Sequence, residues 1–142
     1  MNLMSDFRRN IAFSVAAVAG NATLVTSVMT DKFHDILLEV VIDDASLTIR
    51  RISLEFRKAP MEKCVHSKSR LDLLTGVPIG KGLTKKLFEV LGGSAGCPNL
   101  RNMLLCSLPL VLNQRAAEGF SEVPEMMESI HGQLRGTCAG YV

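Results

Sequence analysis

The chain has 142 residues, 47% of them hydrophobic and 21% charged, with a formal net charge of +2. A domain of that length buries roughly two-thirds of its unfolded surface and folds without a staple, and this composition is globular, not disordered. So small a charge, no tryptophan and one tyrosine leave little for nucleic acid to grip or stack on.

Arg8-Arg9 followed by apolar residues 11–22 imitates a secretory signal, but Ser14 and Gly20 interrupt the run. No apolar stretch approaches the ~20 residues of a membrane span. Strands are predicted instead over residues 11–19 and 22–30, rich in Val, Ala and Thr, with Gly20-Asn21 as their hairpin turn. A polar break, Asp31-Lys32-Phe33-His34-Asp35, precedes a strongly apolar strand at 36–42, and Asp43-Asp44-Ala45-Ser46 reads as a turn. In the next strand, 47–57, Leu47 and Ile49 share one phase and Ile52, Leu54 and Phe56 another. The change falls at Arg50-Arg51, where a bulge or a strong twist is expected. The basic residues from Arg50 to Arg70 are read as a solvated face.

Pro60 then opens a helix over about 61–74 that stops at Gly76, with Leu71 and Leu74 inward and Val65 a turn and a half earlier. Leu83, Leu87, Val90 and Leu91 stripe a short helix at 83–91. A glycine-rich loop, 92–96, leads into Cys97-Pro98 and a long helix to about 117. Its packed face is Leu100, Met103, Leu104, Leu108, Val111 and Leu112, and Pro109 should kink it. A last helix from about 121 to Gly136 carries Met126, Met127, Ile130 and Leu134, the methionines read as core filler. The expected architecture is one α+β domain, residues 1–142. Its antiparallel sheet of about three to four strands, over 11–57, is packed by three to four helices over 61–136.

The four cysteines, at 64, 97, 106 and 138, form no CxxC pair, and reduced thiols in a cytoplasmic setting are the default. Cys64 falls in the first turn of a helix, and Cys97 stands directly before a helix-opening proline. Free amide donors at helix starts favour an anionic thiolate, which is both nucleophile and metal ligand. His34-Asp35 opens the central strand and could face both helix starts. The candidate metal ligands are therefore His34, Asp35, Cys64 and Cys97, a donor set suited to zinc or iron. Cys106, inside an apolar helix, reads as structural, and Cys138 is open. The glycine loop matches neither a dinucleotide nor a P-loop pattern.

The run from Asp31-Lys32-Phe33-His34-Asp35 through Pro60, Cys64, Leu74-Thr75-Gly76 and Gly93-Ser94-Ala95-Gly96-Cys97 resembles a bacterial domain family of unknown function. Members often read Gly-Cys-Thr-His-Leu where this chain has Gly96-Cys97-Pro98-Asn99-Leu100, so one histidine is missing. More distantly, residues 35–112 are similar to the IscU/NifU-type iron–sulfur scaffold. The shared features are a strand opened by Asp35, an acidic turn at Asp43-Asp44, a Cys64 helix ending in Gly76, and Cys97 opening a long helix. That resemblance implies an IscU-like fold. The scaffold's first cysteine has no counterpart beside Phe33 and His34, and Gly96 replaces its histidine, so a three-cysteine cluster site is not available.

Three readings follow. The first is a non-enzymatic metal-binding or sulfur-handling protein. The second is a thiol enzyme or sulfur-transfer relay with Cys97 as nucleophile. The third is an interaction module without chemistry, such as a homodimer pairing edge strands or a binder of another protein.

Overall fold

The computed structural model describes residues 2–142. The chain divides into two compact units, one ending at Leu110 and the other beginning at Val111.

In the first unit, β1 (Arg9–Val18), β2 (Ala22–Asp31), β3 (Asp35–Asp43) and β4 (Thr48–Lys58) form an antiparallel meander in sequence order. The turn after β1 places Gly20 and Asn21 at φ +83° and +50°, left-handed conformations that glycine and asparagine tolerate best. At the next turn the Asp43 carboxylate accepts hydrogen bonds from the Ser46 N–H at 2.9 Å and hydroxyl at 2.8 Å, and meets the Arg50 guanidinium. Those bonds, Arg50's first, hold the Asp43 carboxyl well below the usual carboxylate range.

The expected bulge is there. Val41 pairs with Arg51 but Ile42 with Ile49, so Arg50 is the extra residue. The bulge returns Ile49, Ile52, Leu54 and Phe56 to one face of the sheet, opposite Ile42, Val40, Leu38 and Ile36. Val25 and Met29 complete the buried face. The other face, with Leu24, Val28, Leu37 and Val41, is half-exposed.

The buried face is covered by a 3-10 helix (Glu62–Leu74), α1 (Leu83–Leu91), a short 3-10 turn (Gly93–Ala95) and α2 (Pro98–Ser107). The long 3-10 helix packs on β4, α2 packs on β2 and β1, and α1 bridges the two helices. Leu71, Leu74, Leu83, Leu87, Val90, Leu91, Leu100, Met103, Leu104 and Leu108 fill the layer. The stripe predicted for α1 is the buried stripe observed.

Several expectations are corrected. The segment after Pro60 is a 3-10 helix, and Val65 is exposed. The Ser67 and Ser69 hydroxyls donate to the carbonyls of Cys64 and His66, three residues back, at 2.7 and 3.0 Å. Such side-chain bonds compete with the α-helical ladder. The helix after Cys97 does not merely kink at Pro109. It stops at Ser107 and restarts as α3 (Leu110–Ala117), because proline lacks an N–H and its ring crowds the carbonyl four residues back. Leu112 and Cys106 are exposed, while Ser107 takes the buried position beside Met103 and Leu104.

In the second unit, α4 (Val123–Leu134) begins with a proline in its first turn. Met126, Met127, Ile130 and Leu134 are half-buried on it, so these methionines are not sealed core filler. Among the described residues no helix is long and apolar enough to cross a membrane.

Candidate functional site

Residues far apart in sequence border one cavity of about 550 Å³ in the first unit, among them His34, Cys64 and Cys97. A pocket of that size suits a small molecule. Three of the four predicted ligands are thus brought to a common space, and Asp35 is not among the lining residues. Side chains alternate along a strand, so at the start of β3 Asp35 falls on the face opposite Ile36 and the core. Its Oδ1 is buried without a hydrogen-bond partner.

The carboxylate that does serve His34 is Asp31, at the end of β2. Its side chain is fully buried. Oδ1 accepts the backbone N–H groups of Phe33 and His34, each at 2.8 Å, and lies 2.9 Å from His34 Nδ1. Oδ2 accepts from Arg9 Nε at 2.8 Å. Burial works to raise this carboxyl, but the bonds from His34, the Phe33 N–H and Arg9 outweigh it and hold Asp31 well below the usual range.

The network closes on itself. Arg9 Nη1 donates to Asn99 Oδ1 at 3.2 Å, which leaves the Asn99 amide nitrogen facing His34 Nε2, also at 3.2 Å. Every contact in the ring Arg9–Asp31–His34–Asn99 is satisfied when the imidazole proton sits on Nδ1 and Nε2 accepts. The ring joins the start of β1, the end of β2, the β2–β3 turn and the first turn of α2. A signal for it was present: an Asp-x-x-His pair closing a tight turn, in which Asp31 and not the adjacent Asp35 reaches the ring nitrogen. Arg9 and Asn99 carried no local signal.

Cys97 is the N-cap residue of α2. Its carbonyl accepts the Arg101 N–H at 3.0 Å, and Pro98 occupies the first turn. Gly96 must precede it. A Cβ there would stand 2.0 Å from the Leu91 carbonyl oxygen, so only glycine lets the loop pass α1 and deliver the thiol.

The opposite wall is the 3-10 helix, and its geometry explains which side chains it offers. With three residues per turn, positions i and i+3 stack in columns. One column holds Lys63, His66 and Ser69, the next Cys64, Ser67 and Arg70, and all six line the cavity. The third column supplies Leu71 and Leu74 to the core. An α-helix would rotate these positions out of line. Arg70 is anchored by its Nε, which donates to the Val90 carbonyl at 3.1 Å.

Ser94, Ala95, Gly96, Pro98 and Asn99 complete the lining, which contains no Asp or Glu. Among the described residues no three His, Cys, Asp or Glu side chains are grouped so as to hold a metal ion. The arrangement as placed is therefore a pocket with two thiols and an oriented imidazole, not a preformed metal centre.

A protein family described as "Protein of unknown function (DUF2889)" matches residues 17–113, more than half of the chain and the whole of this cavity's lining. No curated protein and no solved structure matches the chain.

Proposed function

Starting from the premise that the chain belongs to the DUF2889 family, we propose that it is a sulfur-handling protein whose working groups are Cys64, Cys97 and His34. One observation carries the reading: two thiols and an imidazole, separated by some thirty residues each, border one open cavity. A carboxylate behind an imidazole keeps the ring in one tautomer and orientation, the preparation that both nucleophilic thiol sites and metal sites use. The order of strand, cysteine and glycine that resembles the IscU/NifU-type scaffold supports the same reading.

The molecule holds its own controls, because Cys106 and Cys138 are exposed while Cys64 and Cys97 are only partly so. Site-resolved alkylation by iodoacetamide at neutral pH is expected to modify Cys97 about tenfold faster than either surface thiol, the behaviour of a working nucleophile. Slower reaction of both cavity thiols than of Cys106 and Cys138 overturns the proposal. The zinc or iron reading uses the same donors, and requires His34, Cys64 and Cys97 to close inward on the ion. It predicts about one metal ion per chain in the purified protein, lost in Cys97→Ser.

A second reading rests on the sheet's rim. The outer edge of β4 is occupied by residues 76–79, through hydrogen bonds of 2.7–2.9 Å involving Ile49 and Leu47. β1 has no strand beyond it among the described residues and carries no charge over residues 10–18. An uncharged free edge invites pairing with a second copy. Light scattering of the wild type and of Ser14→Lys tests it: a dimer that the lysine disperses supports an interaction role, and a wild-type monomer removes it.

A further inference from the structure

We propose that the ligand of this cavity is a small organic anion, carrying a carboxylate or phosphate beside the group that meets the thiols. The inference rests on the sulfur-handling reading and adds the substrate's charge.

The lining has two basic side chains, Lys63 and Arg70, two imidazoles, His34 and His66, and no carboxylate. Among the described residues neither Lys63 nor Arg70 pairs with an acid, although Arg9, Lys32, Arg50, Arg57 and Lys85 all do. Asp31 stands behind His34, outside the lining, and its charge is already met by Arg9, by the backbone N–H groups of Phe33 and His34, and by the His34 Nδ1–H. The cavity is thus left with positive charge that the protein does not neutralise.

Placement adds to charge. The columns of the 3-10 helix seat Lys63 and Cys64 side by side at one end, with Arg70 two turns along the thiol's own column. Arg70 is not a waving surface cation. Its Nε is spent on the Val90 carbonyl and the residue is part-buried, so the remaining guanidinium donors are held ready for an oxyanion. Ser67 and Ser69 spend their hydroxyl protons on backbone carbonyls, which leaves the cations as the dominant anion-binding groups on this wall. A ligand spanning from Arg70 to Cys64 would set its anionic end against the guanidinium and its reacting end against sulfur.

Iodoacetate and iodoacetamide test this directly. In both, thiolate sulfur displaces iodide as the S–C bond forms, and the reagents differ chiefly in charge. On the full chain, with each site read by mass spectrometry, the iodoacetate-to-iodoacetamide rate ratio at Cys64 and Cys97 is expected to exceed that at Cys106 and Cys138 at least about fivefold at low salt. The excess should shrink near 1 M salt, where screening reaches only about 3 Å. Lys63→Gln, at an exposed position, should lower the ratio without disturbing the fold, and Arg70→Lys should retain more of it than Arg70→Gln. Equal ratios at all four cysteines, with iodoacetamide still favouring Cys97, overturn the anion inference and leave the sulfur-handling reading standing. If both reagents are slow at the cavity thiols, that reading fails. Amide NMR shifts with inorganic phosphate at constant ionic strength then decide the inference. Saturable shifts at residues 63–70 and 94–99 that Lys63→Gln weakens uphold it, and their absence overturns it.

Discussion

The two walls of the cavity are held by different physics. On one side, His34 and Asn99 belong to a closed ring of hydrogen bonds that includes a fully buried carboxylate. On the other, Cys64 rides on a 3-10 helix tied down by Leu71, Leu74 and bonds from serine hydroxyls and Arg70 to nearby carbonyls. A 3-10 helix has poorer hydrogen-bond geometry than an α-helix and is seldom this long. The contrast teaches that the imidazole is preorganised while the first thiol sits on an element that yields, so adjustment to a ligand should come from the Cys64 side.

The largest break in that contrast is Asp31→Ala. It strands Arg9, His34 and two backbone N–H groups beside a buried vacancy, and is expected to cost about 3–5 kcal/mol, read as a lower urea midpoint at unchanged slope. Gly96→Ala comes next, at roughly 2–3 kcal/mol from overpacking, because the added methyl meets the α1 backbone at Leu91. It should also displace Cys97 and slow its alkylation. Asn99→Ala opens the ring at its weakest contacts, both 3.2 Å, for about 1 kcal/mol. Ser67→Ala on the yielding wall should cost less than about 1 kcal/mol, measured the same way.

Acid sharpens the same comparison. The folded-state carboxyl of Asp31 lies below the ordinary 3.8, so the stability it contributes is present above that pH and is lost as the pH falls beneath it. The rigid wall should therefore fail first in acid, with a steeper loss of stability below about pH 4 in the wild type than in Asp31→Asn. At neutral pH the order reverses. Amide hydrogen exchange should open the 3-10 helix well before β2, β3 or α2, and equal protection of both walls would erase the distinction.

Much of the scaffold was legible in the residues. Val, Ala and Thr content marked the first two strands, an apolar run the third and alternation the fourth, Gly20-Asn21 marked the first turn, and the phase change at Arg50-Arg51 marked the place of the bulge. The stripe of α1 was readable to its ends. The site was legible in part: His34, Cys64 and Cys97 do share a cavity, yet Asp35 was expected beside them where Asp31 holds the imidazole. Adjacent polar residues look alike in sequence, and only the strand's alternation and the tight turn decide which one reaches inward.

What the chain determined by itself were the features encoded between near neighbours: strand composition and period, turn glycines, the proline that opens α2 and a disturbance of the helix at Pro109. Each is a local backbone preference, written within a few residues. Tertiary structure alone decided the ring of Arg9, Asp31, His34 and Asn99 and the exposure of Cys106. Those depend on which surfaces the folded layers bury together, and a hydrogen bond between residues 90 positions apart leaves no mark on the neighbours of either.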